Sequence, residues 1–162
     1  MFKSKVKSAI RPHHVVDSVL HIDVAMLRQS GVRYVVFDVD ETLVQSRKNQ
    51  IAALKVQHIN SLRQAGLNIL IGSNSRRDLS AIAESIGAVV VPASRVVQKP
   101  RKKYYHRITE AAAVPPHQIM MVGDRLLNDV VAAKRAGLKT TLVRPVKRRP
   151  GMVFLFLRRR YG

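Results

Sequence analysis

Short, unbroken apolar stretches alternate with amphipathic segments between residues 33 and 143, and this alternation constrains the fold more than any other feature. Tyr34, Val35, Val36 and Phe37 form the first stretch, so residues 33–40 read as a strand that runs out onto Asp38 and Asp40. Residues 50–65 place Ile51, Leu54, Ile59 and Leu62 on one helical face, with Gly66 positioned to end the helix. Residues 67–72 read as a second buried strand, 78–86 as a short helix stopped by Gly87, and 88–91 as a third strand stopped by Pro92. A helix over 101–113 ends before Pro115 and Pro116. A fourth strand over 119–122 precedes Gly123 and Asp124, a helix spans 128–136, and a fifth strand covers 140–143. Strands that are apolar on both faces need cover on both faces. The pattern therefore predicts an α/β chain: a single doubly wound, Rossmann-like parallel sheet of about five strands, with helices on both sides.

Sheets of this kind bind ligands beyond the carboxyl ends of their strands, near the point where strand order reverses. The polar residues at those ends are Asp38 and Asp40 after the first predicted strand and Ser73 and Asn74 after the second. Lys99 lies in the loop after the third, and Asp124 and Asp129 follow the fourth. If the first and fourth strands are neighbours, Asp38 and Asp124 face each other across the crevice. Carboxylates so grouped need a compensating cation. No Cys or His stands at these ends, so a hard divalent ion with oxygen ligands is expected, Mg²⁺ before others. A metal, a carboxylate, a lysine and a hydroxyl together suit a phosphoryl group. The chain has no cysteine, which excludes disulfide scaffolds, zinc ribbons, iron–sulfur sites and thiol catalysis. No apolar run approaches the roughly 18 residues that a membrane span requires.

These residues also carry a resemblance. The segment Phe37-Asp38-Val39-Asp40-Glu41-Thr42-Leu43-Val44 resembles the first motif of the haloacid-dehalogenase (HAD) superfamily of phosphohydrolases. Ser73-Asn74 is similar to its second motif, Lys99-Pro100 to its third, and Gly123-Asp124 with Asp129 to its fourth, in the right order along the chain. Only 35 residues separate Asp38 from Ser73, and 26 separate Ser73 from Lys99, so neither gap holds an inserted cap domain. This spacing resembles the capless subclass III, branch A. The lead-in Pro12-His13-His14-Val15-Val16-Asp17-Ser18-Val19, then Leu27 and Gly31, resembles the YqeG-type phosphatases, which are similar to mitochondrial phosphatidylglycerophosphate phosphatases.

The resemblance implies a role for each matching residue. Asp38 would be the nucleophile that becomes an aspartyl-phosphate. Asp40 would be the acid and then the base, and its backbone carbonyl would bind Mg²⁺. Asp38 and Asp124 would be direct metal ligands, with Asp129 direct or through water. Ser73 and Asn74 would hold phosphate oxygens, Thr42 would orient Asp40 or the following turn and belong with them to the phosphate-binding side, and Lys99 would offset the charge of nucleophile and phosphate. Glu41 and Arg125 occupy variable motif positions. Arg76 and Arg77 are candidates for further substrate contacts. The six histidines have no ligand spacing and read as surface or packing residues.

Charge bears on the partner. With 29 Lys+Arg against 10 Asp+Glu, the formal net charge is +19, which points to anionic partners. Residues 1–14 hold Lys3, Lys5, Lys7 and Arg11 with no acid, and residues 146–162 hold six basic side chains with no acid. The expected organisation is a phosphatase domain over 1–146 with a basic lead-in, and a basic, apolar tail over 147–162. In that tail, Met152 to Leu157 read either as a last strand or short helix packed on the domain, or as an interfacial anchor whose arginines meet lipid phosphates. A phosphorylated lipid headgroup at an anionic membrane surface is the leading substrate expectation, phosphatidylglycerophosphate above others. This implies a cytoplasmic protein held peripherally on a membrane, or one on the matrix side in a mitochondrion, and the lead-in reads against a secretory leader. The alternatives are a nucleic-acid-binding protein or polynucleotide end phosphatase, and a soluble sugar or metabolite phosphatase. Tyr104-Tyr105 is the one aromatic pair set among basic residues, too little for a base-stacking platform.

Overall fold

The computed structural model describes residues 10–161. Lys3, Lys5 and Lys7 of the basic lead-in lie outside them. Six parallel strands form one open sheet: β1 (His14–Val16), β2 (Tyr34–Phe37), β3 (Asn68–Ile71), β4 (Val89–Val90), β5 (Ile119–Gly123) and β6 (Lys139–Val143). Their order is β1-β6-β5-β2-β3-β4. The chain thus lays β3 and β4 on one side of β2, then returns to place β5 and β6 on the other. β2 and β5 are the neighbours between which direction reverses, as expected for the strands that carry Asp38 and Asp124.

Side chains alternate in these strands as a buried pleat requires. Val35 and Phe37 of β2, Ile69 and Ile71 of β3, and Met120 and Val122 of β5 belong to one buried cluster. Val36, Leu70, Ile119 and Met121 belong to a second. The first face is covered by α1 (Val24–Gln29) through Leu27, by α2 (Ala53–Gln64) through Ile59 and Leu62, and by α3 (Ser80–Ser85) through Ile82. The second is covered by α4 (Lys102–Ala112) and by α5 (Ala132–Arg135) through Ala133. On α4, Tyr104, Tyr105, Ile108 and Ala112 share one face and are all buried. Burial of both tyrosines removes them from any base-stacking role.

The structure departs from the sequence expectation in three places. A sixth strand, β1, pairs with β6 from His14↔Thr141 to Val16↔Val143. It is three residues long and has no apolar run to announce it. Asp23 caps α1 by accepting from the Ala25 N–H at 2.9 Å, a helix of six residues too short for a periodic signal. The expected helix over 128–136 is instead a π-helical turn, Leu126–Val131, leading into α5. The tail takes one of its expected forms, a short packed helix, α6 (Met152–Tyr161), which buries Phe154 and Leu157 against Val15, Val130 and Leu142. Its Met152, Val153, Leu155 and Phe156 remain exposed. No helix among the described residues is long and apolar enough to cross a membrane.

Candidate active site

Strand register brings the site residues to one level. Phe37 is aligned with Ile71 on one side and Val122 on the other. Asp38 N–H donates to the Val122 carbonyl, and Gly72 N–H to the Phe37 carbonyl, both at 2.9 Å. The residues that follow, Asp38, Ser73 and Asp124, therefore leave the sheet side by side. With Asp40, Asn74, Lys99 and Asn128, Asp38 and Ser73 line a hollow of about 210 Å³ open to solvent.

Lys99 is the electrostatic centre. Its ammonium, almost fully buried, donates to Asp38 Oδ1 at 2.8 Å and to Asp129 Oδ1 at 2.6 Å. Burial would lower its pKa, but the two carboxylates more than offset this and hold it above the ordinary lysine value, so Lys99 stays charged. Asn74 fixes the backbone that presents it. The Asn74 side-chain amide donates to the Lys99 carbonyl and accepts from the Lys99 N–H, each at 2.8 Å. Expected as a phosphate ligand, Asn74 therefore uses both ends of its amide on Lys99 and keeps one N–H for anything else. Ser73, buried, accepts from the Ser75 N–H at 3.2 Å.

The π turn delivers Asp129. Its Oδ2 accepts from the Arg125 N–H at 3.0 Å while Oδ1 takes Lys99, so both oxygens are engaged in a fully buried side chain. The wider turn makes room for that double contact, and such turns recur at functional sites. Gly123 is required beside it: a Cβ there would overlap the Asp129 carboxylate.

Asp38, Asp124 and Asp129 each offer an oxygen, and these lie within 4.8 Å of one another. Burial pushes the Asp38 carboxyl up to about 6, with Asp129 and Asp124 adding to the effect against Lys99. Burial, joined by the Asp129 charge, likewise pushes Asp124 up to about 6 against Arg148 and Arg125. Three carboxylates thus face two cations, buried Lys99 and half-exposed Arg148, and the cluster carries more negative charge than they balance. Asp124 Oδ1 is buried and has no hydrogen-bond partner among the described residues. An orphaned carboxylate oxygen beside two more carboxylates fits an oxygen-liganded divalent cation.

Asp40 lies at the rim and is differently held. Its Oδ1 accepts from the Arg47 N–H at 2.9 Å and its Oδ2 from the Arg77 guanidinium at 2.8 Å. Partial burial would raise its pKa, but these donors outweigh it and keep the carboxyl below its usual range. Arg77 is anchored in turn by Asn49, Ser75 and the Lys48 carbonyl. Thr42 is buried but does not line the Asp38 hollow. It lines a separate one, and its Oγ1 has no partner among the described residues.

Two residues matter that the sequence reading passed over. Glu41 has φ +64, in the left-handed region, and is buried. Its carboxylate accepts from the Ser46 N–H (3.1 Å), Ser46 Oγ (2.8 Å), Lys147 N–H (2.9 Å) and Arg148 N–H (3.0 Å). These bonds override burial and hold it down at about 2. They tie the loop after β2 to the segment after β6. Arg148, set in place by that tie, gives its guanidinium to Asp124 Oδ2 at 2.5 Å. A carboxylate flanked by buried Thr42 and Leu43 must find partners, and that was the available signal for Glu41. Arg148 sits in a basic run and offered none.

Comparison with known proteins agrees with this fold. A HAD-like family hydrolase from Porphyromonas gingivalis superposes with a TM-score of 0.57 at 14% identity, over 72% of this chain and 93% of that one. The HAD-hydrolase YfnB from Bacillus subtilis, bound to magnesium, superposes with a TM-score of 0.53 at 14% identity, over 75% of this chain and 91% of that one. Both share the fold. In sequence, the chain is 25% identical over 154 residues to "Probable phosphatase YqeG" of Bacillus subtilis, covering 94% of this chain and 88% of that protein. It is 25% identical over 150 residues to "Phosphatidylglycerophosphate phosphatase 1, chloroplastic" of Chlamydomonas reinhardtii, covering 86% of this chain and 55% of the algal protein's length. Fold and relatives together define a HAD-superfamily phosphatase, a phosphoric monoester hydrolase. Within that class the chain belongs to the family described as mitochondrial PGP phosphatase, whose model matches residues 3–147.

Proposed function

We propose that this phosphatase is Mg²⁺-dependent, works through an aspartyl-phosphate on Asp38, and removes the terminal phosphate of phosphatidylglycerophosphate. The observation that carries the reading is the Asp38–Lys99–Asp129 arrangement beside an Asp124 with one orphaned oxygen, at the open end of the β2–β5 reversal.

In this reading an Asp38 carboxylate oxygen attacks phosphorus, and the bond from phosphorus to the ester oxygen breaks. Asp40 gives that oxygen its proton, and the alcohol leaves. Water then attacks the phosphorus as Asp40 takes a proton from it. The bond to Asp38 breaks, and phosphate and the free carboxylate are regenerated. Lys99 keeps one Asp38 oxygen in place and balances its charge, so the other oxygen is left for attack. Asp38, Asp124 and the Asp40 carbonyl would hold the metal, with Asp129, both of whose oxygens are engaged, acting behind them. A bound Mg²⁺ would offset the negative charge of the phosphoryl oxygens. Arg77 keeps Asp40 ionised in the state described here, so Asp40 must exchange that contact to carry a proton to the leaving oxygen.

The lipid assignment rests on the family and on the tail. The phosphatase unit over 1–146 would be held on an anionic membrane by residues 147–162, where exposed Met152, Val153, Leu155 and Phe156 stand next to Arg158, Arg159 and Arg160. Phosphate release from phosphatidylglycerophosphate, sugar phosphates, nucleotides and phosphorylated oligonucleotides tests the reading, with and without chelator. Turnover should favour the lipid, stop in chelator and vanish in Asp38→Asn. Retained turnover in Asp38→Asn or in chelator refutes the mechanism, and preference for another substrate refutes the assignment.

A further inference from the structure

A second hollow, of about 430 Å³, is connected to the first site by Arg148, which lines it and donates to Asp124. Thr42, Lys55, Arg144, Lys147, Arg148 and Arg149 are among the residues that line it. The single acid on its wall, Asp17, already accepts from the Arg158 guanidinium at 3.0 and 3.2 Å. Five cationic side chains therefore surround a space with no free carboxylate of its own.

Three observations separate this hollow from an ordinary solvated basic run. First, the backbone that carries the cations is fixed. Val146 N–H donates to the Glu41 carbonyl at 2.9 Å, and the Lys147 and Arg148 N–H groups donate to the Glu41 carboxylate. The far wall is fixed too, since Lys55 Nζ donates to the Thr42 and Leu43 carbonyls at 3.0 and 3.1 Å. Second, Thr42 on that wall carries a buried hydroxyl with no partner among the described residues. Third, Arg148 on the wall of this hollow reaches the carboxylate cluster of the first site through Asp124. It gives one guanidinium N–H to Asp124 and keeps four for other acceptors, and its side chain is 51% exposed. Asp124 lies in the same cluster as Asp38, so this guanidinium stands one carboxylate away from the proposed nucleophile.

We infer that this hollow is a second anion subsite, which takes the phosphodiester of a substrate whose reacting phosphomonoester is bound at Asp38. The inference rests on the phosphatase reading above and deepens it. A substrate with two phosphates bridged by glycerol would set one at Lys99 and the other among Arg144, Lys147 and Arg148. Arginine forks suit a phosphate oxygen pair, and lysine adds a point charge. The subsite would select against simple monoesters, which leave the cations unengaged. This gives a capless enzyme a means of discrimination that does not require a lid.

The test uses two water-soluble substrates: deacylated phosphatidylglycerophosphate, which has both phosphates, and glycerol 3-phosphate, which has only the monoester. For the unaltered chain, kcat/KM should be at least about tenfold higher on the first, the gain expected from one or two charge-assisted contacts. In Lys147→Gln and in Arg144→Gln that ratio should fall toward one, whatever the absolute rates. The Lys147 N–H that holds the loop is kept in the first variant. Binding is measured separately by calorimetry with glycerophosphoglycerol, which has the diester and no monoester. It should bind the unaltered chain and be lost in Lys147→Gln/Arg144→Gln. A 5′-phosphorylated dinucleotide is the competing arm. A ratio near one in the unaltered chain, a ratio unmoved by the variants, absent diester binding, or preference for the dinucleotide each overturns the inference. Hydrolysis of neither substrate, with diester binding intact and sensitive to the variants, overturns the phosphatase reading and leaves the subsite standing.

Discussion

Replacing Glu41 with Gln should loosen a joint that no catalytic motif describes. Four donors converge on this one buried carboxylate: the N–H and hydroxyl of Ser46, and the N–H groups of Lys147 and Arg148. Both backbone bonds from 147 and 148 end on Oε2. A glutamine can offer only one acceptor atom, so its NH₂ must face either Ser46 or the two backbone donors. At least two donors lose their acceptor, and a negative charge that suits them is gone. Hydrogen bonds to charged groups contribute about 1.5–3 kcal/mol each, and they are not additive within one cluster. A loss of about 3 kcal/mol is the consistent value, which for a chain of this size lowers Tm by about 6–12 °C. Two assays read it. Thermal melting by circular dichroism gives the stability loss. Limited trypsin digestion should show faster native-state cleavage at Arg144, Lys147, Arg148 or Arg149, because that segment loses its anchor. A Tm within about 2 °C of the unaltered chain, together with unchanged trypsin resistance, would show that Glu41 does not hold the loop and would remove the structural basis of the second subsite.

Three other outcomes follow from contacts already described. Lys99→Met leaves Asp38 and Asp129 buried without their cation, so it should abolish turnover and cost about 3–5 kcal/mol in urea denaturation; a stability loss below about 1 kcal/mol refutes the buried pairing. On α6, Leu157→Ala removes a buried side chain and should cost about 2–4 kcal/mol, whereas Phe156→Ser, at 66% exposure, should leave Tm unchanged and weaken cosedimentation with anionic vesicles; equal vesicle binding refutes the docking role. His13 accepts from the Thr140 N–H at 3.1 Å, and burial followed by the charges of Lys134, His14, Lys139 and Arg11 lowers its pKa to about 4 from 6.5. The unfolded chain therefore takes up the His13 proton first, so the contribution of this one group to stability should fall as pH drops from 6.5 toward 4 and stay constant below. His13→Asn, which supplies an uncharged acceptor, should flatten that slope, and an unchanged slope assigns it to other groups.

How much of this was legible in sequence follows from how local each signal is. Asp38, Ser73 and Asp124 were readable because each comes directly after an apolar strand, and parallel register alone then brings the three together. Lys99 was readable by position, but its burial between two carboxylates was not, since Asp129 reaches it only through a π turn. That turn is invisible to a 3.6-residue period, which reads 128–136 as one regular helix. β1 escaped notice because three residues give no pattern. Its place at the sheet edge depends on β6, more than 120 positions later. Asn74 carried the right motif, yet its partner is the backbone of Lys99, which no residue pattern specifies. Glu41 and Arg148 are the furthest case. Their contact joins positions 107 apart, and one looks like a variable motif residue and the other like part of a solvated basic tail.

The rim acids show why the net charge of +19 and a carboxylate-rich site are compatible. Three cations from different parts of the chain serve the four acids: Lys99 is shared by Asp38 and Asp129, Arg77 pairs with Asp40, and Arg148 with Asp124. These pairings are not equivalent. Lys99 is almost fully buried, and separating it from Asp38 or Asp129 strands a charge inside the protein. Arg148 is half exposed, and water can take over its charge at little cost. Asp124 also holds the one rim carboxylate oxygen that is buried without a hydrogen bond among the described residues. The order in which these acids can accept an added cation is therefore built into the fold. Asp124 comes first, because its Oδ1 has no donor to displace and its other oxygen is held only by a half-exposed arginine. Asp129 yields last, because both of its oxygens are engaged in the interior.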